Sequence, residues 1–220
     1  MIMEDNKSSY SEVSLKDNKV FKWLDNYWYH YKWHTIITLF FVIIAIVCIV
    51  QMVKKTEPDA IITYAGGYAF EVDDTKNLQE FFKTKISSDL NNDGKIFFSV
   101  QNYYLPYGVS NDSQNSKNFS NLMLTGQSAV LFVSEAVYNS LKENDRLVPL
   151  DNSVVSLPKN LPENDGYSFC LGDLPIYQNN EELQILPGDT RVCLARKVIN
   201  VKDEDYSLMK STFRAIVSAK

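Results

Sequence analysis

Histidine is almost missing from this sequence. Two occur in 220 residues, His30 and His34, both beside one long apolar run, and residues 56–220 contain none. Serine–histidine and cysteine–histidine catalysis and histidine-ligated zinc are therefore excluded from most of the chain. Positive charge is also short: the formal net charge is −5 and the pI about 5.1, which rules out a broadly basic nucleic-acid binder. Cysteine occurs three times, and Cys170 and Cys193 lack the C-x-x-C spacing of a redox pair. With 45% apolar and 22% charged residues, the chain is neither wholly disordered nor a multi-span transporter.

One long hydrophobic run is present. Thr35 to Val53 is 19 residues without a charge, bounded by Lys32 and His34 before it and Lys54-Lys55 after it. At 1.5 Å per residue it reaches roughly 28 Å, close to the thickness of a bilayer's hydrocarbon core. All three tryptophans, Trp23, Trp28 and Trp33, lie just upstream with Tyr27, Tyr29 and Tyr31, an arrangement suited to the headgroup level. A cleaved signal peptide would have a shorter core and small residues at a cleavage site, so the run reads as an uncleaved anchor. Lys7, Lys16, Lys19, Lys22 and Lys32 precede it and only Lys54 and Lys55 come within twenty residues after it. Five against two favours a cytoplasmic N-terminus and places the rest of the chain outside the cytoplasm.

Around the anchor, residues 1–18 are rich in Ser, Lys, Asp, Glu and Asn and read as a flexible tail. Residues 19–34 read as an aromatic juxtamembrane helix, with Phe21, Leu24, Trp28 and Tyr31 at helical spacing. Residues 54–59 form a linker carrying Pro58. Residues 60–220 suit one domain. Strands are expected at Ala60–Tyr64, Lys95–Val100, Ser128–Val133, Tyr167–Leu171 and Val192–Val198. Helices are expected at Thr75–Ser88 capped by Asp74, at Phe119–Thr125, at Glu135–Lys142 capped by Ser134, and at Tyr206–Ala219. The early alternation of strand and helix predicts an α/β domain with a largely parallel sheet covered by helices on both faces.

Asp89, Asn91, Asp93 and Gly94 match the first half of a calcium loop, but Val100 stands where a bidentate glutamate belongs. Asn-Asp-Gly is also strong turn chemistry, and a helix-to-strand turn is the leading reading. Ser207-x-x-Lys210 matches the first motif of penicillin-binding nucleophiles, but no S-D-N or K-T-G comes after it; an amphipathic helix accounts for it better. Cys48 lies within the apolar run as filling; Cys170 and Cys193 fit either two buried thiols or a disulfide. Asn111-Asp112-Ser113 and Asn118-Phe119-Ser120 fit the N-glycosylation pattern. Residues 56–220 hold 22 acidic and 15 basic residues, a net of −7, which disfavours anionic polymers as partners.

Loops at the carboxyl ends of parallel strands are where open α/β sheets bind ligands. Three segments are expected to meet there: Gly66 and Gly67 after the first strand, Tyr103, Tyr104 and Tyr107 after the second, and Ser134 and Glu135 after the third. Glycines admit close approach to the backbone, tyrosines offer apolar faces with hydroxyl handles, and a helix N-terminus offers free N–H groups.

The stretches YWYHYKWHTIITLF, EPDAIITYAGGY, NFSNLMLTGQSAVLFVSEAVYNSLKENDRLVPLD, YSFCLGDLPIY and LPGDTRVCLARKV resemble uncharacterised single-span membrane proteins of clostridia and relatives, over most of residues 20–220. From Asp59 to Asp151 the chain is also similar to extracellular solute-binding proteins, with Phe119–Gly126, Ala129–Val133, Glu135–Leu141 and Leu147–Leu150 as the matching parts. The resemblance implies one lobe of a type 2 periplasmic-binding fold. That family closes two lobes over its ligand, and this domain has length for one, so none of the family's ligand residues is carried over. The expected protein is a single-pass, non-enzymatic binding module for a small solute or protein partner, without a cofactor. The alternative is an assembly subunit acting through the juxtamembrane and transmembrane helices.

Overall fold

The computed structural model describes residues 19–54, 58–86, 89, 91, 93–110, 113–150, 157, 162 and 165–219. The expected flexible tail, residues 55–57 of the linker and the first glycosylation asparagine lie outside these residues. The chain divides into two compact units, residues 1–55 and 56–220.

The described residues of the first unit form a single helix, α1 (Lys19–Lys54), 36 residues without a break. Juxtamembrane segment and apolar run thus form one continuous rod, about 54 Å long at 1.5 Å per residue. Within it, Lys22–Met52 is long and apolar enough to cross a membrane, consistent with a single span or signal anchor. Residues four apart stack along one side: Trp23 on Tyr27 with ring centroids at 5.7 Å, and Tyr27 on Tyr31 at 5.4 Å. Thr35 Oγ1 continues that line, 3.1 Å from the Tyr27 hydroxyl and 3.0 Å from the Tyr31 carbonyl.

The second unit is α/β. Its strands are β1 (Ala60–Gly66), β2 (Phe98–Tyr104), β3 (Val130–Val133), β4 (Ser168–Cys170) and β5 (Arg191–Leu194). Its helices are α2 (Val72–Lys85), α3 (Gln114–Thr125), α4 (Glu135–Glu143), the short α5 (Pro175–Gln178) and α6 (Asp203–Ser218). The strands form one sheet in the order β2-β1-β3-β5-β4. β1 lies between β2 and β3 and runs parallel to both, while β5 is antiparallel to β3 and to β4. The sheet is therefore mixed rather than largely parallel. The cause lies between β4 and β5. A parallel return needs a crossover of a dozen or more residues, usually a helix laid over the sheet. The connection here holds only a four-residue helix and 3₁₀ turns at Leu171–Asp173 and Glu181–Ile185, and the chain reverses within the sheet instead.

Helices cover both faces. Phe82 of α2 meets Phe132 of β3, and Phe213 of α6 meets Phe169 of β4. Register places Phe132 beside Val192 and Val192 beside Phe169, so α2 and α6 share one face. Tyr103 of β2 meets Phe119 of α3 on the other. Strands buried this way on both sides read as continuous apolar runs, and all four residues of β3 are buried. α2 begins with a capping box between Glu71 and Asp74, one turn earlier than the expected cap at Asp74. α3 begins at Gln114, capped by the Ser113 hydroxyl, and ends on Gly126 in the left-handed conformation.

Phe213 and Phe132 are each about 1% exposed or less, whereas Ile199 is fully exposed. Replacing Phe213 by Ala is expected to cost about 3–5 kcal/mol, the range for a truncated core aromatic. Thermal melting followed by tyrosine fluorescence should show a large drop for Phe213→Ala and none for Ile199→Ser.

Candidate functional site at the carboxyl edge of the sheet

Three loops leave the carboxyl ends of β1, β2 and β3 side by side. The Gly66 carbonyl accepts the Leu105 N–H at 2.6 Å, and the Ala65 carbonyl accepts the Ser134 N–H at 3.0 Å. Two neighbouring carbonyls of β1 thus hold the start of both flanking loops. The structure brings Gly66, Gly67, Ser134 and the turn after β2 together, and Gly67 lies against Pro106.

The tyrosines are placed differently from expectation. Tyr103 and Tyr104 belong to β2 itself, paired with Ala65 and Gly66, and only Tyr107 lies in the turn beyond it. Tyr103 packs toward α3, and its hydroxyl donates to Gln101 at 3.1 Å. Tyr104 is 44% exposed and Tyr107 94%. Tyr68, in the loop after β1, is a further exposed ring at this edge, and its hydroxyl reaches Asp74 at 3.4 Å.

The space beside Gly66 is filled from within. A Cβ there would lie 2.6 Å from the Tyr64 hydroxyl and 3.2 Å from the Ser134 Cβ. This glycine is required by packing against its own chain rather than by an approaching ligand. Tyr64 is buried, its ring stacks on Phe70 at 5.1 Å, and its hydroxyl accepts the Tyr68 N–H at 3.3 Å. Burial raises its pKa above the ordinary tyrosine value.

Ser134 is the N-cap of α4, but its side chain makes no capping bond. Glu135 is engaged: Arg191 Nε donates to its Oε2 at 2.7 Å, and the guanidinium lies 5.7 Å from the Tyr138 ring centre. Beneath them is a network that no local pattern announces. The Tyr138 hydroxyl donates to Asp165 Oδ2, while Asp165 Oδ1 accepts from the N–H groups of Tyr167 and Ser168 and from the Ser168 hydroxyl. Lys142 Nζ stands 3.9 Å from Asp165 and about 5 Å from the ring centres of Tyr138 and Tyr167. The one sequence signal was Asn164-Asp165-Gly166, a turn tripeptide whose aspartate folds back on the next backbone amides.

Other candidates fall elsewhere. In the 89–95 loop, Asp89 Oδ2 accepts the Gly94 N–H, Asn91 Oδ1 that of Asp93, and Asp93 Oδ1 that of Lys95, with Gly94 at φ +81°. The buried Asp59 carboxylate fastens this loop to β1 by accepting the N–H groups of Asn91 and Phe97. Asp89 Oδ1 is buried with no hydrogen-bond partner among the described residues. Among those residues, no group of three His, Cys, Asp or Glu is placed to hold a metal ion. Cys170 and Cys193 are free thiols on adjacent strands, opposite Arg191 and Ser168 respectively. Cys193 is fully buried, and burial pushes its thiol pKa well up. Lys210 reaches back over the Tyr206 ring at 5.6 Å. Open cavities of about 200, 340 and 360 Å³ lie between α3 and α4, at the amino end of β1, and between α2 and the Glu181–Ile185 turn. None of the three is lined by the carboxyl-edge residues.

No protein-family model matches this chain, and no curated protein or solved structure matches it.

The packing at Gly66 and the bonds around Asp165 each have a measurable outcome. Gly66→Ala should destabilise the domain by about 1–3 kcal/mol, as expected for overpacking against a buried side chain. Tyr64→Phe, which removes the opposing hydroxyl, should restore part of the loss in a double-mutant melting cycle. The second outcome concerns acid. Burial works to raise the Asp165 pKa, but the bonds from Tyr138, Tyr167 and Ser168 outweigh it and hold the carboxyl below its ordinary value. A folded value below the unfolded one gives stability that is present above about pH 4 and lost as pH falls through the folded value. Asp165→Asn should lower the melting temperature at neutral pH and flatten its fall below pH 4. Parallel curves for variant and parent would contradict this.

Proposed function

We propose that this protein is a membrane-anchored, non-enzymatic binding module. In this reading α1 spans the bilayer with its N-terminus in the cytoplasm. The α/β domain stands on the other side as one lobe of a periplasmic-binding type and offers its carboxyl edge to a protein partner.

The observation that carries the reading is the filled carboxyl edge. Small-molecule sites are concave and bury most of their ligand. Here the space beside Gly66 is taken by Tyr64 and Ser134, and the loops above it expose Tyr68 and Tyr107, with Val72 exposed at the start of α2. Exposed tyrosines over a closed backbone surface suit a protein face, where aromatic residues are enriched. The thiol of Cys193 is fully buried, out of reach of a substrate, and Lys210 lies over the Tyr206 ring, which supports a binding role over nucleophilic chemistry. A second reading, an assembly subunit acting through α1, is favoured by the stacked Trp23-Tyr27-Tyr31 line and its continuation at Thr35.

A membrane-impermeant photo-cross-linker attached to Tyr107→Cys, with Cys48→Ser and Cys170→Ser, tests the side and the surface together. Intact cells should label from outside. Illumination should give a discrete adduct other than one of twice the 25.2 kDa chain mass, and Tyr68→Ser should weaken it several-fold. Failure to label from outside would overturn the orientation, and labelling without a discrete adduct would overturn the docking surface.

A further inference from the structure

The large apolar side chains that the α/β domain exposes, among the described residues, fall at the two ends of its sheet. Tyr68, Val72, Tyr104 and Tyr107 stand at the carboxyl end, and three of these four carry a hydroxyl. Phe97, Leu124 and Ile199 stand at the amino end, and their side chains hold no polar atom. Phe97 comes just before β2, and its carbonyl accepts the Asp59 N–H at the foot of β1. Leu124 lies in the last turn of α3, before the chain enters β3. Ile199 lies between β5 and α6. The cavity at this end draws these connections together: its lining includes Pro58 and Ala60, Thr125 and Gly126, and Asn200 and Val201.

Ile199 is out of keeping with its position. The Val201 N–H donates to the Val198 carbonyl at 3.1 Å, closing a turn with Ile199 and Asn200 at its corners. Such corners favour Gly, Pro, Asn, Asp and Ser. Here one corner is a β-branched aliphatic residue, fully exposed. Val198 and Val201 pack on Gly126, where a Cβ would collide with both. The flanking side chains therefore turn inward and Ile199 turns out. Arg196 and Lys197 precede the turn and Lys202 follows it, but Asp203, Glu204 and Asp205 come next. Arg196 pairs with Asp145 and Lys197 with Asp203. Charge is balanced at this tip, so its apolar side chains decide what it meets.

We propose that the amino end of the domain is a lipid-contacting face, with Ile199 entering the boundary between headgroups and acyl chains and Phe97 and Leu124 at the rim of the contact. The proposal rests on the reading of α1 as a membrane span. Its length of tether selects lipid as the occupant. Four peptide steps separate Lys54, the last residue of α1, from Pro58. Fully extended, they reach about 14 Å. Gly66, at the carboxyl end of β1, lies about 20 Å farther along the strand at 3.3 Å per residue. The end that carries Ile199 is thus the one kept within reach of a bilayer. A tether this short makes lipid contact an intramolecular event, so an apolar tip too small to hold a free domain on a membrane suffices. Side chains without hydroxyls match acyl chains, whereas the tyrosines of the other end suit a partner met in water.

The test uses the full chain in phosphatidylcholine vesicles, with Cys48→Ser and Cys170→Ser. An environment-sensitive dye on Ile199→Cys should emit to the blue of the same dye on Tyr107→Cys. A nitroxide on the upper acyl chain of the lipid should quench it several-fold more. A dye on Lys202→Cys should also be quenched, and adding Ile199→Asp should cut that quenching several-fold. A loop kept near lipid by the tether alone would not respond to this substitution. Equal quenching at 199 and 107, or no response to Ile199→Asp, would overturn the proposal. An alkaline carbonate wash reports the span separately. Retention in the vesicles with an unquenched dye at 199 would overturn the lipid face and leave the span standing; loss in the wash would overturn both. If Ile199→Asp fails to melt cooperatively, the comparison of 199 with 107 decides.

Discussion

The carbonyls of Ala65 and Gly66, side by side at the end of β1, govern the upper part of the domain. One holds Ser134 and so sets where α4 begins; the other holds Leu105 and so sets where the chain leaves β2. Both depend on Gly66 lacking a side chain, because the Tyr64 hydroxyl already fills that space. The lower end has a matching device in the buried Asp59 carboxylate, which ties the 89–95 loop and the start of β2 to the same strand. β1 is thus fixed at both ends by polar groups and along its length by β2 and β3. The apolar core between sheet and helices is built around that fixed strand.

Much of this was legible because it is local. The buried run after Pro58, the helical spacing of Leu78, Phe81 and Phe82, and the apolar β3 are each written within a dozen residues. The second strand starts three residues and ends four residues later than the pattern at Lys95–Val100 predicts, because Ile96 and Phe97 look as strand-like as Phe98. The Asp59 carboxylate settles the matter by capturing the Phe97 N–H, from 38 positions away. That shift also moved Tyr103 and Tyr104 from a loop into the strand. The reversal of β5 has no local sign, since a short apolar strand reads alike in either direction. The Tyr138–Asp165 bond spans 27 positions and the Glu135–Arg191 pair 56, and no spacing rule reaches that far.

Glu135 illustrates how a candidate residue changes meaning once its surroundings are known. At a helix start after a parallel strand it reads as part of a ligand-facing edge. In the fold its carboxylate is held by Arg191, which also covers the Tyr138 ring. The surface here carries a neutralised pair over a buried ring, with less charge than the domain's net of −7 suggests.

The distribution of tryptophan separates the two units optically. Trp23, Trp28 and Trp33 all stand exposed on α1, and residues 56–220 contain tyrosine and phenylalanine but no tryptophan. Indole emission therefore reports on the helix and its surroundings alone, and a blue shift on transfer from detergent to lipid would measure its immersion. Tyrosine emission is shared between the units, because α1 carries Tyr27, Tyr29 and Tyr31 while the other rings stand in the α/β domain, so the indole band is the one that singles out the helix.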